Sequence, residues 1–209
     1  MDFVAARKMM VDSQVRVNDV TDRTLQAALL AVPRERFCAP DRAFSAYAEA
    51  ECEIANGRVL MLPREVAKLL SAVEARPGET ALAIAAPYAG AVLARLGATV
   101  TAQEADQAVL DVVAPALSDA GVETVVAPFD QPQGEGYDII ISEGAVATRP
   151  QAWLDALAVG GRLAVVERKG AAGRGVLYVR GRDGFSRREL FDGSPPMLDG
   201  ITPEPAFNF

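Results

Sequence analysis

The fold is decided by the stretch Thr80-Ala-Leu-Ala-Ile-Ala-Ala-Pro-Tyr-Ala-Gly-Ala-Val-Leu-Ala94. Its apolar residues, with a break in the middle, predict a buried strand, a tight turn and the start of a helix. In an open α/β sheet, a nucleotide-type cofactor binds at such a turn. Here the turn reads Ala85-Ala86-Pro87, where a cofactor-binding turn carries glycines. The stretch therefore predicts an α/β fold, but its turn lacks the glycines of the cofactor site that this fold usually carries.

Further apolar runs on either side of this stretch predict the rest of a sheet. A turn of Arg-Asp-Gly, bracketed by Val176–Arg180 and Phe185–Phe191, predicts an antiparallel hairpin at the end. Short strands alternating with helices indicate a parallel sheet covered on both faces. We therefore predict a doubly wound, mostly parallel seven-stranded α/β sheet of Rossmann-like type with an antiparallel last strand. The five parallel runs cover residues 80–85, 98–103, 122–127, 137–142 and 161–166.

Before the sheet, the sequence predicts helices. Residues 2–16 have helical spacing, and Asn18 or Thr21 is expected to cap the next helix, which ends at Pro33. Another helix is predicted over 64–73. These helices define the first of three predicted regions. The regions are an N-terminal helical segment packing on the core (1–76), the Rossmann-like core (77–193) and an extended tail (194–209).

Two details of the later chain carry their own predictions. Pro115 lies within a helical pattern over 105–120 and is expected to bend or break it. The tail is expected to lie extended on the surface, although Phe207-Asn-Phe209 could anchor its end.

Composition limits the function. The chain has 209 residues, half of them hydrophobic, and a formal net charge of −7. This charge argues against nucleic acid as a partner, because phosphate binding needs clustered Lys and Arg. The pairs Arg34/Arg36 and Arg187-Arg188 are expected to be solvated. No apolar run is long enough to span a bilayer, so no membrane partner is expected, and residues 1–7 lack signal-peptide features. A cytoplasmic protein is the expectation.

The chain has no histidine, which excludes serine–histidine and cysteine–histidine catalysis and histidine metal sites. Its two cysteines, Cys38 and Cys52, lack metal-ligand spacing and are expected to be ordinary reduced thiols. No metal site is predicted.

Several motifs resemble the protein-L-isoaspartate O-methyltransferases. They are Val32-Pro-Arg-Glu-Arg-Phe37, Ala46-Tyr47, Gly57 through Pro63, Tyr137-Asp-Ile-Ile-Ile141 and Leu154-Asp-Ala-Leu-Ala-Val-Gly-Gly-Arg-Leu163. At the positions of Gly57 through Pro63, the family has Gly-Gln-Thr-Ile-Ser-Gln-Pro. The resemblance spans roughly residues 7–191. It implies the class I methyltransferase fold, S-adenosylmethionine as cofactor and methyl transfer to an isoaspartyl carboxylate in protein repair.

At the cofactor turn this sequence departs from the family. The family pattern is Leu-Glu-Ile-Gly-x-Gly-x-Gly-Tyr, whereas Ala83 stands where the Glu would be. Ala85-Ala86-Pro87 replaces the glycines, and about two residues are missing before Tyr88. Glycine reaches backbone angles closed to Ala and Pro and lets a ligand approach the main chain. The resemblance therefore implies a remodelled turn.

A second departure lies at the family's substrate site. Val59-Leu-Met-Leu-Pro63 stands where the family has Thr-Ile-Ser-Gln-Pro, so Met61 occupies the substrate Ser position. Apolar side chains cannot hydrogen-bond a substrate carboxylate, so no catalytic residue is assigned. Arg58 and Arg64 are the remaining candidates to hold an anion near this position.

The resemblance leaves a few positional candidates for cofactor binding. Glu104 follows the second strand, where a carboxylate commonly binds ribose hydroxyls, although a solvated carboxylate is the alternative. Asp130 is either the family's adenine-side acid or a turn-forming Asp. Glu143 and Glu167 follow later strands and could perform acid–base chemistry if their pKa values differ. The cofactor candidates are Ala85, Ala86, Pro87, Tyr88, Glu104 and Asp130.

Three hypotheses follow. The first is a catalytically degenerate family member acting as a binding or scaffold module. Met9, Met10 and Val15 could supply a surface for a protein partner or homodimer, although Met at helical spacing is more often a core residue. The second is an active S-adenosylmethionine-dependent carboxyl methyltransferase with an altered cofactor loop. The third is a related protein that binds another small molecule. A dinucleotide dehydrogenase is disfavoured, since no Gly-x-Gly-x-x-Gly follows the first strand.

Overall fold

A computed structural model describes residues 1–201 and shows a seven-stranded sheet beside a small hairpin. The sheet order is β5-β4-β3-β6-β7-β8-β9. The first five of these strands pair in parallel, whereas the β7–β8 and β8–β9 pairings are antiparallel. The predicted sheet is therefore confirmed. The strands are β1 (Cys52–Ala55), β2 (Arg58–Leu60), β3 (Thr80–Ile84), β4 (Thr99–Glu104), β5 (Glu123–Val126), β6 (Tyr137–Val146), β7 (Leu157–Lys169), β8 (Ala172–Arg180) and β9 (Phe185–Asp192).

Helices cover both faces of the sheet. Along β3, Ala81 and Ala83 pack in the larger hydrophobic cluster, whereas Leu82 and Ile84 pack in the cluster on the other face. This alternation follows from the two-residue period of a strand, and burial on both faces explains why β3 is apolar throughout. The helices are α1 (Phe3–Met10), α2 (Arg23–Ala31), α3 (Pro63–Val73), α4 (Pro87–Arg95), α5 (Gln107–Asp119) and α6 (Gln151–Asp155).

The N-terminal segment is helical, but its boundaries differ from the predicted ones. After α1 the chain continues as a π-helical turn over Val11–Val15 and a 3₁₀ turn over Arg16–Asn18. Asp22 caps α2 by accepting the Thr24 N–H at 2.7 Å, so the prediction of Asn18 or Thr21 as cap was wrong. The reason is a reversal at Asp19, whose left-handed backbone delays the start of the helix.

Helix α5 runs unbroken through Pro115, so no break occurs there. Proline removes the hydrogen bond to the carbonyl four residues earlier, that of Asp111. Both residues are exposed, which lets water satisfy this carbonyl.

The tail was predicted to lie extended on the surface, but part of it docks onto the body of the protein. Leu198 is buried against Gly144, and its N–H donates to the Ala145 carbonyl at 2.8 Å. No periodic pattern in the tail indicates this contact. Residues 202–209, including Phe207–Phe209, lie outside the described residues.

The hairpin of β1 and β2 was not predicted, although its turn carries a recognisable signal. Asn56 and Gly57 both have positive φ, the conformation that an Asn-Gly hairpin turn requires. The hairpin matters because it places Arg58 beside the carboxyl ends of the sheet strands. Among the described residues, no helix combines the length and hydrophobicity needed to cross a membrane.

Candidate functional site

The candidate site, which we call the crevice, is bounded by Ala85, Glu104 and Glu143. Ala85 follows the last residue of β3, and Glu104 is the last residue of β4. Glu143 lies within β6, directly after the last residue that pairs with β3. Strand β3 pairs with both of the other two strands. The strand order therefore reverses at β3, and such a switch point is where open α/β sheets bind ligands.

The turn at the crevice keeps a glycine-like backbone without glycine. Ala85 has φ +53°, in the left-handed region, and its N–H donates to the Gln103 carbonyl at 2.9 Å. Ala86 precedes α4 without capping it, and Pro87 occupies the first helical position, where its missing N–H costs little. Ala85 and Ala86 are 0% exposed, so no water-sized space adjoins either residue.

Arg58 fills the space in front of this turn. Its Nη2 donates to the Ala85 carbonyl at 2.6 Å and to Glu104 Oε1 at 3.1 Å. Its Nη1 lies 3.4 Å from the Glu143 carbonyl oxygen, and its Cζ lies 5.9 Å from the Phe129 ring centroid. The guanidinium thus connects all three strand ends that bound the crevice.

The carboxylate of Glu104 is almost fully buried, at 1% exposure. Burial raises its pKa, and the neighbouring Arg58 partly offsets this effect. Glu104 Oε2 and Arg58 Nε have no hydrogen-bond partner within residues 1–201. The carboxylate is therefore buried, and the pair leaves one polar atom of each residue without a partner among the described residues.

A second carboxylate, that of Glu143, lies at the N-terminus of α4. Its Oε1 accepts the Ala89 N–H at 2.8 Å. Burial raises the pKa of Glu143, while Arg34, the Ala89 N–H and Arg58 act in the opposite direction. Since helix N-termini attract anions, the protein's own carboxylate occupies this anion position.

Arg34 is also buried, at 0% exposure, so the prediction that it is solvated was wrong. Its Nε donates to the Ala46 carbonyl at 2.8 Å and its Nη2 to the Met61 carbonyl. Its Cζ lies 4.8 Å from the ring centroid of Tyr88, which is buried as well. Burial raises the pKa of the Tyr88 hydroxyl. Arg34 thus connects the Met61 segment to the residue after the turn.

Other predicted residues lie apart from this group. Asp130 is exposed, and Arg64 pairs with Glu49. Glu167 pairs with Arg187, at 2.8 Å, and accepts a hydrogen bond from Tyr178. Glu143 and Glu167 therefore have separate partners. Arg187 is exposed, as expected, and also forms an ion pair with Glu167.

The predicted partner surface is divided by the structure. Met10 and Val15 are core residues, whereas Met9 is 69% exposed. The three side chains therefore cannot form one surface, because adjacent helical positions point in different directions.

Two residues near the crevice, Gln103 and Gly90, were not predicted from the sequence. Gln103 is buried in β4, and its amide group bonds to Pro128, Gln131 and Gln133, fixing the loop after β5. The signal was an amide within an apolar strand. Gly90 brings α4 against β3: a Cβ there would lie 3.0 Å from that of Ala83.

Known proteins are similar to this chain in sequence. The family model described as Protein-L-isoaspartate(D-aspartate) O-methyltransferase (PCMT) matches residues 5–173. A protein-L-isoaspartate O-methyltransferase of Methylorubrum extorquens (strain PA1) is 32% identical over 209 residues, covering 96% of this chain and 91% of its own. One from Methanoregula boonei is 33% identical over 190 residues, covering 88% and 87%.

A solved structure shares the fold. A crystal structure of a Plasmodium falciparum protein, described as a putative protein-L-isoaspartate O-methyltransferase in complex with S-adenosyl-L-homocysteine, has a TM-score of 0.77. The two sequences are 15% identical, and the matched region covers 92% of this chain and 98% of the Plasmodium falciparum chain. With the family match over most of its length and relatives above 30% identity, the chain belongs to the protein-L-isoaspartate O-methyltransferase family.

Proposed function

We propose that this chain is a catalytically degenerate member of its family that acts as a binding or scaffold module. The observation that carries the proposal is the position of Arg58. Its guanidinium bonds to Ala85 and Glu104, the residues at the family's cofactor-turn and ribose-acid positions. In this proposal, Arg58 takes the position that the family pattern assigns to the cofactor.

The residues present do not fit S-adenosylmethionine. Ala85, Ala86 and Tyr88 adjoin no more than traces of water-accessible space, so binding would require the turn to move. Glu104 is engaged by Arg58 instead of being free to accept hydrogen bonds from ribose hydroxyls. At the start of α4, the position for an anionic ligand group is taken by Glu143. These three features support loss of cofactor binding.

The proposed loss extends to the substrate position. Met61 is 0% exposed, and its side chain has no group that could hydrogen-bond an isoaspartyl carboxylate. A methyl-transfer site must position its acceptor accurately, and an apolar buried side chain contributes nothing to that task.

One observation favours the alternative, an active S-adenosylmethionine-dependent methyltransferase with an altered loop. Ala85 retains the left-handed backbone that glycine normally supplies, so the path of the turn survives the loss of its glycines. If Arg58 moves away from Glu104 in solution, the Ala85 carbonyl and the Glu104 carboxylate lose the donor that they share.

Calorimetry with S-adenosylmethionine and S-adenosylhomocysteine separates the two candidates. Degeneracy predicts no measurable heat of binding for the natural chain at tens of micromolar protein. Binding with a Kd of about 1 μM, which corresponds to a binding free energy of about −8 kcal/mol, would be detected at this concentration. Arg58→Gln, which restores the family's residue, is the matched variant. Binding by this variant alone would identify Arg58 as the obstacle, whereas binding by both proteins would contradict degeneracy.

Methyl transfer is tested separately with an isoaspartyl peptide and labelled cofactor. Transfer by the natural chain would establish the alternative function. No transfer, together with no binding heat, is the expected result.

A scaffold needs a partner, and we propose another protein or a second copy of the chain. Light scattering of the purified protein distinguishes these two possibilities. A dimer mass identifies the homodimer, and a monomer mass directs the search to a different protein.

A further inference from the structure

A second concave surface, which we call the basic cavity, shares no lining residue with the crevice. It has a volume of about 1060 Å³ and is formed by the chain after β6, the end of β7 and the tail residue Met197. Three cations line it, those of Arg149, Arg168 and Lys169. Among the described residues, no carboxylate lines the basic cavity. Its lining therefore carries charge of one sign only.

Backbone carbonyls hold Arg168 in place. Its Nε donates to the Gly170 carbonyl at 3.0 Å, and its Nη1 donates to the Ser194 and Pro195 carbonyls at 3.0 and 2.7 Å. These acceptors are uncharged, so they fix the guanidinium without neutralising it. Its Nη2 makes no hydrogen bond within residues 1–201. Arg168 thus combines a fixed position with an unneutralised charge and a free donor.

Aromatic rings hold Arg149 in place. Its Cζ lies 5.6 Å from the ring centroid of Tyr178 and 5.1 Å from that of Phe185. Attraction of this kind acts between the cation and the ring face, so it does not consume the N–H donors of the guanidinium. Those donors can therefore bind the two oxygens of a carboxylate while the rings keep the side chain in position.

Arginines on the neighbouring strands differ in having acidic partners. Arg174 in β8 pairs with Asp192, and Arg187 in β9 pairs with Glu167 at 2.8 Å. Within residues 1–201, none of the three cations of the basic cavity forms an ion pair. The chain as a whole has a net charge of −7, so a general excess of positive charge does not explain this group. A concave surface with charge of one sign attracts ligands of the other sign, which here are anions.

We propose that the basic cavity binds an acidic peptide segment of a partner protein. Its volume equals that of the largest pockets that enclose small molecules, about 1,000 Å³, so a single small anion would leave most of it unfilled. Arg149 and Lys169 are exposed, which lets an extended segment reach them from the surface and place several carboxylates near the cations. Met197, at 40% exposure, offers an adaptable apolar contact to the aliphatic parts of such a segment. The inference rests on the proposed function in taking a protein as the partner, and it adds the chemistry of that partner.

The experiment is fluorescence anisotropy of the full-length protein with a rhodamine-labelled octaglutamate peptide. The peptide is expected to bind, and its affinity is expected to fall several-fold between about 50 mM and about 300 mM salt, because salt screens exposed charges. A labelled octaglutamine peptide is expected not to bind. Absence of octaglutamate binding at low salt, or equal binding of the two peptides, would overturn the proposal.

A pair of double variants locates the binding site. Arg149→Gln with Lys169→Gln is expected to lower the affinity for octaglutamate by at least about tenfold. The control is Arg76→Gln with Arg95→Gln, which removes the same charge from two exposed arginines outside the basic cavity. The control is expected to change the affinity by less than about twofold, since distant exposed charges are screened. Equal losses in the two double variants would indicate attraction to charge in general and would refute the site.

Other occupants give different results. Calorimetric binding of tripolyphosphate without octaglutamate binding would assign the basic cavity to a small anion and overturn the proposal. A dimer mass in light scattering that Arg149→Gln with Lys169→Gln converts to a monomer mass would assign it to a second copy of the chain, with the same consequence. The basic cavity and the crevice share no residue, so failure of peptide binding leaves the S-adenosylmethionine calorimetry unaffected. Binding of S-adenosylmethionine would in turn contradict degeneracy without changing the peptide result.

Discussion

Two partly buried Arg–Glu pairs lie at opposite ends of the same sheet. At the amino ends of the strands, Arg162 and Glu79 form a bidentate pair at 2.8 and 3.0 Å. Arg162 also donates to the Val73 carbonyl at 2.9 Å from Nε and 2.6 Å from Nη2. At the carboxyl ends, Arg58 and Glu104 share one contact of 3.1 Å, and each keeps one unpaired atom among the described residues.

The pKa values of the two carboxylates are shifted in opposite directions as a result. Hydrogen bonds from Arg162 lower the pKa of Glu79, whereas burial dominates at Glu104 and raises its pKa. A buried pair stabilises a fold only when its geometry is good and its remaining polar atoms are satisfied. The amino-end pair meets this condition and the crevice pair does not. The comparison indicates that the crevice is not arranged for maximum stability.

Replacing both members of each pair by apolar residues tests this difference most directly. Arg162→Met with Glu79→Leu is expected to cost about 3 kcal/mol, because the Val73 carbonyl at the end of α3 loses its donors. Arg58→Met with Glu104→Leu is expected to cost only about 1 kcal/mol, because the Ala85 carbonyl loses one donor while a buried and incompletely satisfied carboxylate is removed. Urea unfolding measures both. Arg174→Met, at an exposed pair, is the control, and equal losses in the two double variants would refute the comparison.

The pH dependence of stability gives a second test, because Glu143 and Glu79 are expected to affect it with opposite signs. Burial raises the pKa of Glu143 above its ordinary value of 4.5, so the folded state holds the proton more tightly than the unfolded chain. This stabilisation is complete below 4.5 and is lost as pH rises through the folded pKa. Glu143→Gln is therefore expected to be more stable than the natural chain by about 1 kcal/mol near pH 8, with a smaller difference near pH 5.

Glu79→Gln is the matched variant for that titration. The lowered pKa of Glu79 gives stability that is present above its ordinary value of 4.5 and lost as pH falls through the folded pKa. This variant is expected to be less stable than the natural chain at neutral pH, with the deficit shrinking in acid. The same sign for both variants in pH-dependent urea unfolding would contradict the two pKa directions.

The smallest expected effect concerns the turn. Ala85→Gly removes a Cβ from a left-handed residue, which favours the variant, but increases the entropy of the unfolded chain, which opposes it. The net expectation is a gain of about 0.5 kcal/mol in thermal unfolding. Ala86→Gly, at a residue with negative φ, serves as control and is expected to lose stability. A loss at Ala85 as large as at Ala86 would show that the left-handed backbone carries no strain.

The sheet could be predicted because its determinants are local. Short apolar runs such as Ala81–Ile84 are buried on both faces, so their composition alone marks them as strands. Helix boundaries were less predictable, since the reversal at Asp19 decides where α2 begins and leaves no periodic signal. The docking of Leu198 onto Gly144 is likewise a tertiary contact between residues distant in sequence.

The site was only partly predictable for the same reason. Glu104 could be placed at a strand end by its spacing from Ala85, but its partner could not be named. Arg58 lies 46 residues earlier and reaches Glu104 through a hairpin that was not predicted. Sequence patterns also misplaced Arg34, because a buried arginine is satisfied by carbonyls that no motif identifies.

The left-handed Ala85 has an evolutionary consequence. Alanine and glycine codons differ by one base, and the backbone at this position already has the shape that glycine would take. A change to glycine would therefore keep the path of the turn. Arg58 and Glu104 differ from Ala85 in this respect, because their two side chains would have to separate before a ligand could contact either of them.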